Sequence, residues 1–190
     1  EGRMWGFQLW ANLPAKNKMM DPRYREVKSG EIPAVPLKGG GTARIICGEM
    51  EGVAGPVRDI VIDPLYSDVS IPPEGSISLD VGRDRIVMVY VFDGAGCFGE
   101  DCDDFSYDVA SSRYFDIKRD RRIGPDSLVL LGPGDTLAAD AGEKGMRFLL
   151  IAGKPLKEPV AWYGAIVMNT REELRLAFEE FRNGTFVKKR

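Results

Sequence analysis

The fold is decided by the stretch Leu128-Val-Leu-Leu-Gly-Pro-Gly-Asp-Thr-Leu-Ala-Ala-Asp-Ala-Gly-Glu-Lys-Gly-Met-Arg-Phe-Leu-Leu-Ile-Ala-Gly153. Its apolar runs, residues 128–131 and 148–152, are too short for helices and are bounded by glycine and proline, which predicts two buried strands. Between them we expect a tight turn at residues 132–135, because Pro133 presets φ and Gly134 can adopt a positive φ. A short strand at residues 136–139 follows. The stretch therefore predicts the second half of a small antiparallel barrel.

Length, composition and charge limit the size of the fold and the kinds of partner that the chain can have. With 190 residues and 44% apolar content, the chain is long enough for one domain with a substantial core. The 26 basic and 29 acidic residues give a formal charge of −3, which favours neither nucleic acid nor anionic membrane as a partner. The sequence has neither an apolar run of about 18–20 residues nor a signal-peptide pattern. We therefore expect a cytoplasmic location.

The chain contains no histidine. Histidine is the usual general base near neutral pH and the commonest ligand for zinc and iron, so its absence removes Ser-His-Asp and Cys-His pairs and the usual transition-metal sites. The three cysteines, Cys47, Cys97 and Cys102, form no CxxC pair. Free thiols are expected in preference to a Cys97–Cys102 disulfide, and Cys47 is expected in the core.

Short strands with glycine and proline breaks are predicted every eight to twelve residues in the middle of the chain, which favours an all-β barrel or sandwich. They cover residues 43–47, 59–63, 67–71, 76–81 and 86–92, and a turn is expected at Asp93-Gly94. At the start, residues 5–10 alternate aromatic and small or polar side chains, which predicts a strand with aromatic groups on both faces. Trp5, Phe7 and Trp10 carry too much apolar area to remain in water, so a second copy of the chain or the C-terminal helix should cover them.

An acidic stretch lies between Gly94 and Gly124. Residues 100–108 hold five acids and no base, and its candidate cation ligands are Asp101, Asp103 and Asp104. Clustered carboxylates suit calcium, but the stretch lacks the glycine and the ligand spacing of a calcium loop. A solvated insertion is the favoured interpretation.

The C-terminal segment predicts a helix. Thr170 and Glu173 have the spacing of a capping box. Leu174, Ala177, Phe178 and Phe181 then recur at helical intervals, and Gly184 is a natural stop. We expect Leu174, Phe178 and Phe181 to be buried.

Four blocks of sequence together resemble the pirin family: residues 5–16 (WGFQLWANLPAK), 48–57, 152–160 and 163–174. The Pro-Gly-Asp at residues 133–135 is similar to the second conserved motif of cupin barrels. Pirins are bicupins, so the resemblance implies an all-β cupin-type antiparallel barrel or jelly roll with one C-terminal α-helix. It implies the last strand of an N-terminal cupin with a linker at residues 1–30, a C-terminal cupin at 31–165 with an insertion at 97–122, and a helix and tail at 166–190.

The resemblance also bears on activity. In pirins an iron held by three histidines and a glutamate lies in the first barrel, and full-length relatives are quercetin 2,3-dioxygenase-like enzymes or transcription cofactors. This chain resembles the part after that site, so it is expected to be non-catalytic alone and to carry no cofactor. Counted against a metal cupin, the ligand positions fall near Asp80, Gly82, Val87 and Arg147, of which only Asp80 could ligate a metal. Ala165 stands where the family usually has proline.

Two functions remain open from the sequence. The chain is either the metal-free part of a pirin-like iron dioxygenase or a self-standing cupin that binds a small ligand or a protein. Its expected partner is the N-terminal cupin or a second copy of the chain, with a further protein partner possible and with no direct role for nucleic acid or membrane.

Overall fold

A computed structural model describes residues 6–99, 107–108, 117–118 and 122–188. The chain divides into two compact units, one of Arg25–Pro155 and one formed by Glu1–Tyr24 with Leu156–Arg190. This division rests on contacts, and the domain organisation implied by the resemblance stays a prediction. The all-β class with one C-terminal helix is confirmed, since the described residues form antiparallel strands and one α-helix.

The larger unit consists of strands apart from a short 3₁₀ helix at Ser29–Glu31. They are β1 (Ala34–Pro36), β2 (Thr42–Cys47), β3 (Glu49–Met50), β4 (Val53–Ala54), β5 (Leu65–Ile71), β6 (Ser76–Asp80), β7 (Ile86–Phe98), β8 (Tyr107–Asp108), β9 (Ile117–Lys118), β10 (Ser127–Leu130) and β11 (Thr136–Gly153). Strands predicted at residues 43–47, 67–71, 76–81 and 86–92 are therefore present, each within a residue or two at its start.

One seven-stranded antiparallel sheet carries the core, with its strands in the order β1-β2-β5-β11-β7-β10. The long strand β11 pairs with β6 through its first residues and with β5 through its last, and it pairs with β7 along most of its length. Two further hairpins, β3–β4 and β8–β9, stand apart from this sheet. The sheet encloses an apolar core in which Phe148, Ile45 and Leu150 are fully buried.

The turn predicted at Asp93-Gly94 is wrong, because β7 runs on to Phe98. Gly94 has a φ of +67°, and a Cβ there would lie 2.1 Å from the carbonyl oxygen of Gly145. Glycine at this position therefore lets β7 and β11 approach closely rather than reversing the chain. The two strands predicted at residues 136–139 and 148–152 are likewise parts of the single strand β11, whose register against β7 shifts between Ala141 and Met146.

Two other local predictions fail. Residues 59–63 form no strand, because Asp59 and Asp63 both have positive φ and the amide of Asp63 donates to the carbonyl of Ile60 at 2.9 Å. Between β10 and β11, Gly134 does not adopt the positive φ expected for it. The carbonyl of Asp135 instead accepts from the amide of Val81 at 2.8 Å, which ties this connection to the end of β6.

The first apolar run of the deciding stretch is not a buried strand. It forms β10, which is the last strand in the sheet order, and its burial alternates along the chain. Leu128 and Leu130 face outward and are 62% and 68% exposed. A run that is apolar on both faces is typical of a buried strand. The position of β10 at the sheet edge is instead set by long-range pairing, which the run itself does not encode.

The smaller unit contains the hairpin β12 (Ala161–Tyr163) and β13 (Ile166–Met168), followed by α1 (Arg171–Arg182). The predicted capping box is confirmed, since the Thr170 hydroxyl accepts from the Glu173 amide at 3.1 Å and the Glu173 carboxylate accepts from the Thr170 amide at 2.9 Å. Gly184, at a φ of +71°, ends the helix with its amide donating to Phe181.

Burial on α1 differs from the prediction. Ala177 is buried, and Leu174 and Phe178 are half-buried, but Phe181 is 65% exposed. The ring of Phe178 packs edge-on against Tyr163 of β12, with the ring centroids 5.6 Å apart. The apolar face of the helix therefore covers the hairpin with its first turns only.

The predicted N-terminal strand is absent from the described residues 6–10, and a short 3₁₀ helix follows at Ala15–Asn17. A strand needs a hydrogen-bonded neighbour, and the alternating pattern by itself supplies none. Phe7 and Trp10 are both exposed. In the described part of the chain, no helix has the length and apolar character to cross a membrane.

Candidate functional site

Asp80, the one sequence-predicted ligand of the barrel, lies on the outer face of β6. Ile77 and Leu79 of the same strand are buried, so the alternation of side chains turns Asp80 to the exposed side. Its carboxylate accepts a hydrogen bond from the Gly82 amide at 3.0 Å. Asp80 therefore caps the turn that follows its strand and does not reach the barrel interior.

The other positions counted against a metal cupin are filled by groups that do not ligate metals. Gly82 has a φ of +74° in the same turn, and Val87 is buried in the apolar core. Arg147, at the late histidine position, lies on the outer face of β11. Its Nε donates to Asp68 Oδ1 at 2.9 Å, and its guanidinium lies 5.1 Å from the centre of the Phe92 ring.

The Arg147–Asp68 pair joins two neighbouring strands. The hydrogen bonds that Arg147 donates to the Asp68 carboxylate raise the pKa of Arg147, although burial acts in the opposite direction. Asp68 is also one cause, after burial, of the raised pKa of Tyr66. The geometry is that of a structural ion pair on a sheet surface.

The interior of the barrel is packed with apolar side chains. Phe148 meets Phe98 edge-on, with the ring centroids 5.3 Å apart. The one polar side chain that is buried in this core, among the residues described, is Ser67 of β5, whose hydroxyl has no hydrogen-bond partner. It lies opposite Ile45 of β2 and Leu150 of β11. In the described ranges no three His, Cys, Asp or Glu side chains come together in a way that could hold a metal.

The remaining candidate ligands, Asp101, Asp103 and Asp104, lie outside the described residues, as does Cys102. Cys47 is a buried free thiol, as expected of a core residue, and burial raises its pKa. Cys97 is also free and half-buried. A raised pKa disfavours the thiolate, so the position of Cys47 gives it little reactivity.

A groove of about 580 Å³ lies within the smaller unit. Its apolar walls come mainly from the extended N-terminal segment and from β13, and three polar side chains, Gln8, Asn12 and Lys18, line it as well. Its volume lies in the range of small-molecule sites, but the groove is shallow, since Leu9 and Trp10 of its wall are themselves exposed. The apolar residues that line it include Leu9, Trp10, Leu13, Ile166, Met168 and Phe186.

Lys18 belongs to a polar cluster beside this groove. Its ammonium donates to Asn12 Oδ1 at 2.6 Å. Burial lowers the pKa of Lys18, while the charges of Glu158 and Glu173 act in the opposite direction. Glu158 accepts from the Ala15 amide at 2.7 Å and from the Asn169 side chain at 3.0 Å.

Two amide oxygens of this region, those of Asn17 and Asn169, are buried without a hydrogen-bond partner. A buried acceptor of this kind costs free energy unless a donor reaches it. Neither asparagine lines the groove, whose polar side chains are Gln8, Asn12 and Lys18.

The sequence of this chain is similar to that of a known protein family. The family described as the Pirin C-terminal cupin domain matches residues 66–187. The chain belongs to the pirin family. Among the pirin-family relatives, a pirin-like protein of Caulobacter vibrioides is 40% identical over 98% of this chain and 60% of its own length.

Two further relatives extend the comparison. A putative quercetin 2,3-dioxygenase of Thermoplasma acidophilum is 35% identical over 97% of this chain and 66% of its own length. Human pirin is 35% identical over 94% of this chain and 56% of its own length. The pirin-family chain therefore spans less than two thirds of the length of these curated relatives.

The solved structures agree on the fold. A quercetin 2,3-dioxygenase from Acinetobacter baumannii is similar with a TM-score of 0.76 and 26% identity, covering 93% of this chain and 55% of that one. The resemblance to pirins and the cupin-type fold expected from the sequence are both confirmed.

Sequence reasoning on this pirin-family chain missed the groove and its polar cluster. The signal was the polar run around Asn12 and Lys18, which was interpreted as a linker. Its partner Glu158, which accepts from the Ala15 amide, lies 143 residues away in the chain and carries no motif of its own. A contact of this kind is set by tertiary packing, which neither periodicity nor spacing reveals.

Proposed function

We propose that this chain is the C-terminal, metal-free part of a pirin-like cupin protein and that it has no catalytic activity alone. Relatives whose names include pirin and putative quercetin 2,3-dioxygenase support the family context. In this proposal, iron and flavonol chemistry belong to a cupin outside these 190 residues. The present residues supply the second barrel, the closing helix and surfaces for partners.

One observation carries this proposal: the residues at the expected ligand positions have other roles. Asp80 caps its own turn on the outer face, Val87 is packed in the core and Arg147 is paired with Asp68. Iron in proteins favours imidazole and carboxylate ligands that converge on one point. Among the described residues, the donor groups of this barrel do not converge, and the full sequence has no imidazole.

Elemental analysis of the purified chain tests the proposal. We expect no stoichiometric iron, copper or zinc after dialysis and no oxygen consumption with quercetin. An Asp80→Ala variant is the matched probe, because it removes the one candidate ligand at the cupin metal positions and leaves the strand that carries it intact. One bound transition metal per chain, or flavonol turnover that Asp80→Ala abolishes, would contradict the proposal.

A second candidate function, a self-standing binding module, is favoured by the groove beside Lys18. The Lys18 ammonium and the aromatic side chains of Trp10 and Phe186 line the same groove, and together they suit a flat apolar molecule with an anionic or strongly accepting oxygen. A ligand that binds only the folded state raises the unfolding temperature.

Naphthoate can serve as a probe of that class in a thermal-shift titration. We expect naphthoate to raise the unfolding temperature of the wild type and of Lys16→Met, and to have little effect on Lys18→Met. Lys16 is a matched control because it lies two residues away in the same segment and is exposed. Equal shifts in all three proteins would exclude the groove as the site.

The proposal also includes a cytoplasmic location and protein partners rather than nucleic acid or membrane. Phe7 and Trp10 are exposed aromatic side chains, and an N-terminal cupin or a second copy of the chain would bury them. Covering such area is favourable at about 25 cal/mol per Å².

A further inference from the structure

The end of helix α1 places an asparagine directly before a glycine. Of the four asparagines in the sequence, Asn183 is the one that glycine follows. Asn183 is exposed and occupies the C-cap position of the helix. Because Gly184 has no Cβ, nothing on it crowds the approach of the asparagine side chain to its backbone nitrogen. The pair therefore has the composition that favours closure of the side chain onto the backbone.

The chemistry of this closure is a deamidation. The backbone nitrogen of Gly184 loses its proton to hydroxide and attacks Cγ of Asn183. The bond between Cγ and the side-chain nitrogen breaks, and that nitrogen leaves as ammonia. Water then opens the resulting five-membered imide at either carbonyl, which leaves aspartate or isoaspartate at this position. The sequence of steps consumes water only.

The folded end of α1 holds the attacking nitrogen away from the side chain. The Gly184 amide donates to the Phe181 carbonyl at 3.2 Å, and the Thr185 amide donates to the Glu180 carbonyl at 2.9 Å, which is the bond pair of a Schellman motif. Asn183 has a ψ of −2°. At a ψ near zero, the next nitrogen eclipses the residue's own nitrogen and not its Cβ. Ring closure therefore requires a rotation that breaks the bond from Gly184 to Phe181.

The tail beyond the helix folds back on the same turn. The ring of Phe186 packs edge-on against Phe181, with the ring centroids 6.4 Å apart. The ammonium of Lys188 donates to the Glu180 carboxylate and to the carbonyl of Thr185. Phe186 is also part of the groove wall in the smaller unit. These contacts stabilise the closed form of the last turn.

We propose that Asn183-Gly184 is a deamidation site and that fraying of the last turn of α1 sets its rate. Helix ends open locally at a much lower free energy than the whole fold. Residues 182–185 are all exposed, so this turn is closed by few contacts. When it opens, the Gly184 nitrogen is released from Phe181 and can reach Cγ of Asn183. The contacts of the tail thus limit the modification.

The modification in turn keeps the helix end open. Isoaspartate adds a methylene to the backbone, so the Thr185 amide no longer meets the Glu180 carbonyl. Both products place a carboxylate at the C-terminal end of α1, where the helix dipole is negative, and this arrangement is unfavourable. The loss of ammonia makes the change irreversible. The product therefore accumulates with the age of the molecule and loosens the groove wall at Phe186.

Peptide mapping by mass spectrometry tests this inference after incubation of the full chain at mildly alkaline pH. Fragmentation that distinguishes isoaspartate from aspartate identifies the product. We expect conversion at Asn183 and none over the same period at Asn12, Asn17 or Asn169, which are followed by residues that carry side chains. Asn183→Gln keeps the amide but requires a larger ring, so it should abolish the conversion.

Two variants loosen the turn without changing the reacting pair. Phe186→Ala should speed deamidation by about two- to tenfold, the range that the loss of an edge-on aromatic pair implies. Glu180→Gln removes the ion pair with Lys188 and should also speed it. Glu172→Gln is the matched control, because it makes the same change in the first turn of α1 and should leave the rate unchanged.

Three results would overturn the inference. The first is conversion at Asn183 that is no faster than at the other asparagines. The second is an unchanged rate in both Phe186→Ala and Glu180→Gln although hydrogen exchange of the Gly184 amide is faster in them, which would mean that fraying does not limit the reaction. The third is an equal rate in the folded chain and in the chain unfolded by denaturant, which would mean that the Schellman motif gives no protection.

Discussion

Replacing Ser67 with alanine is expected to stabilise the protein. Ser67 is fully buried, and its hydroxyl has no hydrogen-bond partner among the described residues. A buried hydroxyl without a partner costs about 1–3 kcal/mol relative to its hydration in the unfolded chain. Removing it leaves a void on the order of 15 Å³, which at about 24 cal/mol per Å³ costs roughly 0.4 kcal/mol.

The balance predicts that Ser67→Ala raises the free energy of unfolding by about 1 kcal/mol or more. For a chain of this size, 1 kcal/mol corresponds to an increase of about 2–4 °C in the unfolding temperature. Equilibrium unfolding in urea, with thermal unfolding as a second readout, measures the change.

Ser70→Ala is the matched control, because Ser70 lies on the same strand and is exposed. This control should stay within about 0.5 kcal/mol of the wild type. A loss of 1 kcal/mol or more in Ser67→Ala would refute the reasoning, since it would show that the hydroxyl has a partner, such as an internal water, inside the barrel.

Three further predictions concern caps and ion pairs. Thr170→Ala should lower the free energy of unfolding by about 1 kcal/mol through the lost N-cap, and an unchanged urea midpoint would contradict this role. The amides of Thr170 and Asn169 lower the pKa of Glu173 in the folded protein, so its contribution is present above about pH 4.3 and is lost as the pH falls through the lowered pKa. The difference in unfolding temperature between wild type and Glu173→Gln should therefore shrink from pH 6 to pH 3, and a constant difference would argue against this linkage. Asp68→Asn should cost about 0.5–1 kcal/mol, because the pair with Arg147 is partly exposed, and high salt should reduce the loss measured by urea unfolding.

The sequence predicted most reliably what is local. Thr170 and Glu173 lie three residues apart, and their reciprocal hydrogen bonds need no other part of the chain. The same holds for Gly184, which ends the helix in a left-handed conformation. The strands of the core were recognisable because short apolar runs are separated by glycine and proline breaks.

What depends on distant pairing was not predictable in the same way. The Asp93-Gly94 pair has the composition of a turn, but the approach of Gly145 from β11 makes Gly94 part of a continuous strand. The exposure of Leu128 follows from the sheet order, which the run of residues around it does not specify. Similarly, Asp80 was the one residue at the cupin metal positions that could ligate a metal by its type, and only its phase on β6 shows that it faces outward.

The pairing of β11 has a consequence for how the barrel comes apart. This 18-residue strand hydrogen-bonds to β5, β6 and β7. It is therefore the common neighbour of three strands that do not pair with one another. Detaching β11 from any one of them exposes core residues such as Phe148 and Leu137. The larger unit is therefore expected to open all at once, with the amides of β11 exchanging at the rate of global unfolding and with no stable half-barrel left behind.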